Sequence, residues 1–110
     1  MLSMLDRRLT PRFDLQVPFV FCPMNTPVDR GHAAKSINIS VRGVYFQTKQ
    51  PVFVGLPVRV LMQMPSQCSG RLARRVIFTG RVSHVAAKRQ GHPSSLEVGV
   101  EFLYSETYDR

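Results

Sequence analysis

The stretch RFDLQVPFVF, residues 12 to 21, alternates large apolar side chains with other residues, and this alternation decides the fold class. A period of two places every second side chain on one face of an extended chain, as in a β-strand with one buried side. Pro18 cannot donate a ladder hydrogen bond, so it indicates an edge or a bulge. The side chains predicted to face the core are Phe13, Leu15, Val17, Phe19 and Phe21.

Five further segments have strand patterns, and turn-forming residues separate them. They are AAKSINIS at 33–40, GVYFQT at 43–48, VRVLMQM at 58–64, RRVIFTGRVSH at 74–84 and LEVGVEF at 96–102. Six short strands at close spacing predict an all-β fold, a small six-stranded antiparallel β-barrel, because closing the sheet removes its open edges. Gly80 lies in the middle of the fifth strand and indicates a bend or a bulge there.

The chain of 110 residues has the length of a single domain. We expect a flexible N-terminal arm at about residues 1–12 and a barrel at about residues 13–103. The short C-terminal tail LYSETYDR, residues 103–110, is long enough for a turn or two of helix.

Composition narrows the classes of partner. The formal net charge of +8 favours an anionic partner, which is nucleic acid, an anionic membrane surface or a phosphorylated small molecule. No apolar stretch is long enough to span a bilayer, and we expect no secretory signal. Cys22 and Cys68 lack metal-ligand spacing and are expected to be buried thiols in a reducing compartment, which predicts a cytoplasmic location. A disulfide between them stays open at this point.

The histidines and acidic residues do not form a catalytic pattern. His32, His84 and His92 fall in or beside predicted turns, and none has a nearby serine or cysteine in a known nucleophilic arrangement. Metalloprotease, nucleophile-elbow and phosphate-loop motifs are missing from the sequence. We therefore expect a protein that is not an enzyme and has no metal site.

Two short motifs carry more information. Arg7, Arg8 and Arg12 lie on the arm, where a guanidinium can make paired hydrogen bonds to phosphate or to guanine O6 and N7. In NISVRG, the side chains of Asn38 and Ser40 face the same way in an extended chain. The glycine that closes this motif, at position 43, permits positive φ and a close approach of the backbone to a ligand.

RLTPR at 8–12 matches RxxxR, and NISVRG at 38–43 matches (D/N)xSxxG. This ordered pair, in a chain with six strand patterns, resembles the PilZ domain family, and LEVGVEF is similar to the usual last strand of that family. The resemblance implies a six-stranded barrel that binds the bacterial second messenger cyclic di-GMP as its ligand, needs no other cofactor, and signals to a downstream protein. The implied ligand-binding residues are Arg7, Arg8, Arg12, Asn38, Ser40 and Gly43.

The chain departs from the family pattern at one motif residue. Asn38 stands where many members have aspartate, and an amide accepts hydrogen bonds from guanine more weakly than a carboxylate does. Two alternatives stay open. One is a PilZ-like adaptor that binds protein and no nucleotide. The other, ranked third, is a basic barrel that binds RNA or DNA, for which Tyr45 is the main candidate stacking residue.

Overall fold

The computed structural model describes residues 11–69, 74–87 and 95–107, and these residues form a closed antiparallel β-barrel. Its strands are β1 (Pro18–Pro23), β2 (His32–Ser40), β3 (Gly43–Thr48), β4 (Pro57–Met64), β5 (Arg74–Ala87) and β6 (Leu96–Thr107). Around the barrel they follow the order β1-β2-β3-β6-β5-β4, and β4 pairs with β1 to close it. The predicted six-stranded barrel is confirmed.

The core forms from the inward side chains of the alternating strands. Phe46 is fully buried, and its ring centroid lies 5.0 Å from those of both Phe19 and Phe21. Val98 lies opposite Phe46 on β6, Val60 lies opposite Phe21 on β4, and both are equally buried. The alternation in the sequence thus predicted which side chains point inward.

The predicted first strand is shorter than its apolar pattern. β1 begins at Pro18. The first residue of a strand tolerates proline, because the ladder hydrogen bond lost with the N–H matters least there. The preceding residues still follow β2, because Val17 exchanges hydrogen bonds with Ser36: its N–H donates to Ser36 Oγ at 2.8 Å, and its carbonyl accepts from Ser36 N at 3.0 Å. The Ser36 hydroxyl also donates to the carbonyl of Leu15. Serine therefore replaces part of the backbone ladder at this point.

The prediction of a helical tail is wrong for residues 103–107. These residues continue β6, and Tyr104 and Thr107 pair with Thr79 and Val76 of β5. The unusual length of β5 explains this, since its first half supplies backbone partners for a longer β6. Residues 108–110 lie outside the described part.

Several local predictions can also be compared with the structure. The irregularity at Gly80 is confirmed, as the β5–β6 register shifts between Thr79 and Gly80. Cys22 is buried, Cys68 is half-buried, and both are free thiols. The connection between β4 and β5 contains a short helix, α1 (Ser66–Ser69). His84 lies within β5 and not in a turn.

Candidate functional site

The motif NISVRG forms the end of β2, the turn after it and the start of β3. Ser40 pairs with Gly43 across this tight hairpin. Its side chain is 6% exposed, and its Oγ accepts a hydrogen bond from the backbone N–H of Arg42 at 3.0 Å. Serine is suited to such a turn because its hydroxyl can bind the backbone two residues later. Ser40 therefore fixes the shape of the turn.

Gly43 is required for a different reason from the one expected. Among the described residues, Gly55 in the β3–β4 loop has positive φ, whereas Gly43 does not. A Cβ at position 43 would lie 2.5 Å from the backbone oxygen of Val100 in β6. Beyond it, the N–H of Phe102 donates to the carbonyl of Arg42 at 2.8 Å. Glycine thus permits β6 to pack closely against the hairpin, and the expectation of positive φ is wrong.

Asn38 lies on the outer face of β2, beside a bulge. The β2–β3 register shifts between Ser36 and Asn38, so that Ile37 is an extra residue and is 39% exposed. Asn38 is half-buried and pairs with Tyr45 of β3. The bulge bends the strand just before the motif. β-Bulges are common next to functional sites, where they redirect a side chain.

Arg12 lies next to this hairpin because of one antiparallel bridge. The N–H of Phe13 donates to the carbonyl of Ile39 at 2.8 Å, and the N–H of Ile39 donates to the carbonyl of Phe13 at 2.9 Å. In an antiparallel pair, the residue before Phe13 lies alongside the residue after Ile39. Arg12, which is exposed, is therefore placed alongside Ser40. The structure brings together residues that are 28 positions apart in the chain.

The other two arginines of the predicted site, Arg7 and Arg8, lie outside the described residues. The same holds for most of the predicted N-terminal arm, and for His92. Of the predicted ligand-binding set, the structure thus describes four residues and places them at one end of β2 and β3: Arg12, Asn38, Ser40 and Gly43.

The sequence analysis missed a polar cluster beside the motif. The hydroxyl of Tyr45 donates to Glu97 Oε1 at 2.8 Å, and its ring centroid lies 6.2 Å from that of His84. Burial first, and then the hydrogen bond and the charge of Glu97, raise the pKa of Tyr45 above its ordinary value. The Tyr45 side chain is half-buried, and its hydroxyl is held by this hydrogen bond. Only the register of β3, β6 and β5 brings these side chains together.

Two further findings concern other classes of site. In residues 11–69, 74–87 and 95–107, no group of three or more His, Cys, Asp or Glu side chains is arranged to hold a metal ion. None of the helices in that part of the chain has the length and apolar character needed to cross a membrane.

Comparison with known proteins agrees with this architecture. The sequence-family model for the PilZ domain matches residues 6–110, which is nearly the whole chain. The chain belongs to the PilZ domain family. Among curated proteins, no sequence matches this PilZ domain.

A solved structure is similar to this PilZ domain in fold. It is the Bacillus subtilis inhibitor of motility, MotI/DgrA, with a TM-score of 0.69 and 16% sequence identity. The match covers 88% of this chain and 43% of the other, so the chain spans less than half the length of that protein. At this identity the likeness concerns the fold alone.

Proposed function

We propose that this PilZ domain is a cyclic di-GMP receptor without catalytic activity, which passes its ligand-bound state to a downstream protein. The observation that carries the proposal is the Phe13–Ile39 bridge, which places Arg12 alongside Ser40 at the hairpin that also bears Asn38. Arg12 is exposed, and Asn38 lies on the outer face of β2, two residues before Ser40.

The chemistry of each group suits one part of the ligand, which is a dianion with two guanine bases. The Arg12 guanidinium can form paired hydrogen bonds with a phosphate or with guanine O6 and N7. The Asn38 amide both donates and accepts, as the edge of guanine requires. Ser40 accepts from Arg42 N, and a serine hydroxyl can also donate one hydrogen bond, here to the ligand.

The remaining family residues complete the proposed site. Arg7 and Arg8 would add charge from the arm, and a net charge of +8 for the chain favours any such anion. Gly43 would act indirectly, because it keeps β6 close to the hairpin and so holds the binding surface in shape.

Calorimetric titration with cyclic di-GMP tests this function, with GTP and a short single-stranded oligonucleotide as controls. We expect saturable binding of cyclic di-GMP that exceeds that of both controls, and NMR shifts centred on residues 38–43. No heat and no shifts would favour the protein-binding adaptor. Equal binding of the oligonucleotide, with a steep loss of affinity as salt rises, would favour the nucleic-acid interpretation.

A further inference from the structure

A row of cross-strand neighbours leads from the proposed site across the outer face of the barrel. Asn38 lies opposite Tyr45, Tyr45 opposite Gly99, and Gly99 opposite His84. Directly opposed residues place their side chains on the same face of a sheet. Adjacent strands are about 4.8 Å apart, so the row extends about 14 Å from Asn38 over three strand intervals.

Gly99 leaves space for the two aromatic rings in this row to approach each other. A Cβ at position 99 would lie 3.4 Å from the Cβ of His84 and 3.7 Å from Cδ1 of Tyr45. Without it, the two rings extend over β6 from either side, with centroids 6.2 Å apart and planes tilted by 34°. They form one aromatic surface beside Asn38.

Neighbouring groups hold this surface in position. Glu97 lies two residues before Gly99 on β6 and accepts the hydrogen bond from the Tyr45 hydroxyl at 2.8 Å. On β5, Ser83 Oγ donates to the carbonyl of Gly99 at 3.3 Å. Tyr45 is half-buried and His84 is exposed, so the pair is anchored at one end and accessible at the other.

We propose that Tyr45 and His84 form a stacking platform for a guanine of the bound cyclic di-GMP, with Glu97 as a positioning residue. The inference rests on the proposed function and assigns it two further ligand-contacting residues. A guanine whose edge meets Asn38 has its ring face next to Tyr45, its direct cross-strand neighbour. Stacking on aromatic rings is a strong and general source of affinity for bases. It adds to the weaker hydrogen bonding of an amide at position 38.

Titrations of ring-deleting variants test the platform. Tyr45→Ala and His84→Ala should each weaken binding of cyclic di-GMP by at least about fivefold, the effect of losing one base-stacking contact. Tyr45→Phe keeps the ring and should stay within about threefold of the unmodified protein. Tyr104→Ala is the matched control. This exposed tyrosine of β6 lies opposite Thr79 of β5, about 17 Å along β6 from Gly99.

The absence of tryptophan from the chain provides a second readout. In the Tyr45→Trp variant, emission from the single indole should be quenched when guanine stacks on it. The Tyr104→Trp variant should show no change on addition of cyclic di-GMP. Thermal melts of every variant distinguish a loss of contact from a loss of fold.

The outcomes separate the two proposals. If the unmodified protein binds cyclic di-GMP while both alanine variants bind equally well and the indole at position 45 is not quenched, the platform is wrong and the receptor function stands. If the unmodified protein does not bind, both proposals fail. Loss of binding in Tyr45→Phe as severe as in Tyr45→Ala would also overturn the platform, because the hydroxyl and not the ring would then be responsible.

Discussion

Two walls of this barrel share the same interior but have different outer faces. On the wall of β2, β3, β6 and β5, the row beside the hairpin is polar and aromatic: Asn38, Tyr45, Gly99 and His84. On the wall of β2, β1, β4 and β5, the corresponding row is apolar: Ala33, Val20, Leu61 and Ile77. Alternate residues on both walls fill one core.

The difference separates positions that build the barrel from positions whose chemistry can vary. Inward positions on both walls are occupied mainly by valine, phenylalanine, methionine and isoleucine, which serve the barrel in the same way. Outward positions are not needed for the core, so their chemistry is free to differ from wall to wall. We therefore expect substitutions inside the barrel to change stability, and substitutions on the polar wall to change ligand binding.

The largest expected effect comes from the interior. Phe46→Ala removes a fully buried ring that contacts Phe19 and Phe21, and should lower the free energy of unfolding by about 3–5 kcal/mol. Urea denaturation measures this. Tyr45→Ala, next to it but outward, is the control and should lose about 1 kcal/mol through its hydrogen bond to Glu97. Equal losses would contradict the division between faces.

Gly43→Val should also destabilise the barrel strongly. The new Cβ would meet the backbone oxygen of Val100, so the strands must separate, at a cost of about 3 kcal/mol. Both the melting temperature and the affinity for cyclic di-GMP should fall. Gly99→Ala is the control for the melting temperature, because its Cβ meets neighbours no closer than 3.4 Å. A variant at position 43 that melts like the unmodified protein would show that β6 does not need this close approach.

Arg12→Ala should affect binding and leave the fold intact. Loss of a charge-assisted contact worth about 1.5–3 kcal/mol corresponds to about 10- to 150-fold weaker binding. The melting behaviour should change little, since the side chain is exposed and such substitutions stay within about 0.5 kcal/mol. Arg75→Ala, an exposed arginine opposite Gln63 on β4, is the charge-matched control and should bind normally. Equal weakening in both variants would indicate a non-specific charge effect.

Ser40→Ala should have a smaller effect on stability and a measurable one on affinity. It removes the acceptor for Arg42 N, a hydrogen bond worth about 1 kcal/mol. Ser40→Thr keeps the hydroxyl and should restore most of both properties. Differential scanning calorimetry together with titration checks this. Unchanged melting temperature and affinity in the alanine variant would show that the turn holds its shape without the hydroxyl.

The smallest expected effect is a pH dependence of stability at Tyr45. Its pKa is raised in the folded protein, mainly by burial, so folding favours the neutral phenol. The resulting stability is complete below the ordinary pKa of about 10 and is lost as pH rises through the higher folded value. The free energy of unfolding, measured by urea denaturation from pH 8 to 11, should therefore fall more steeply for the unmodified protein than for Tyr45→Phe. Parallel curves would contradict this assignment.

The strand alternation predicted the interior well because it is a local property. Phe19, Phe21 and Phe46 could be assigned to the core from their spacing, since a strand reverses the direction of its side chains at each residue. It predicted strand ends poorly. The tail at 103–107 has no pattern of its own that marks it as strand, and extends β6 only because β5 offers it partners.

The motifs predicted candidate residues but not their spatial relations. Spacing alone indicated Asn38 and Ser40 on one face, yet the position of Arg12 depends on a bridge between Phe13 and Ile39. The role of Gly43 likewise depends on Val100, a residue 57 positions later in the chain. Neither relation can be read from the motif itself.

The sequence by itself therefore determined the all-β class, the inward faces of the strands and the residue types available for an anionic ligand. The tertiary structure decided which outward side chains become neighbours: Arg12 beside Ser40, and Tyr45 beside His84 across Gly99. The physical reason is that side-chain direction follows from the geometry of one strand, whereas cross-strand neighbours follow from the register between strands that are far apart in sequence.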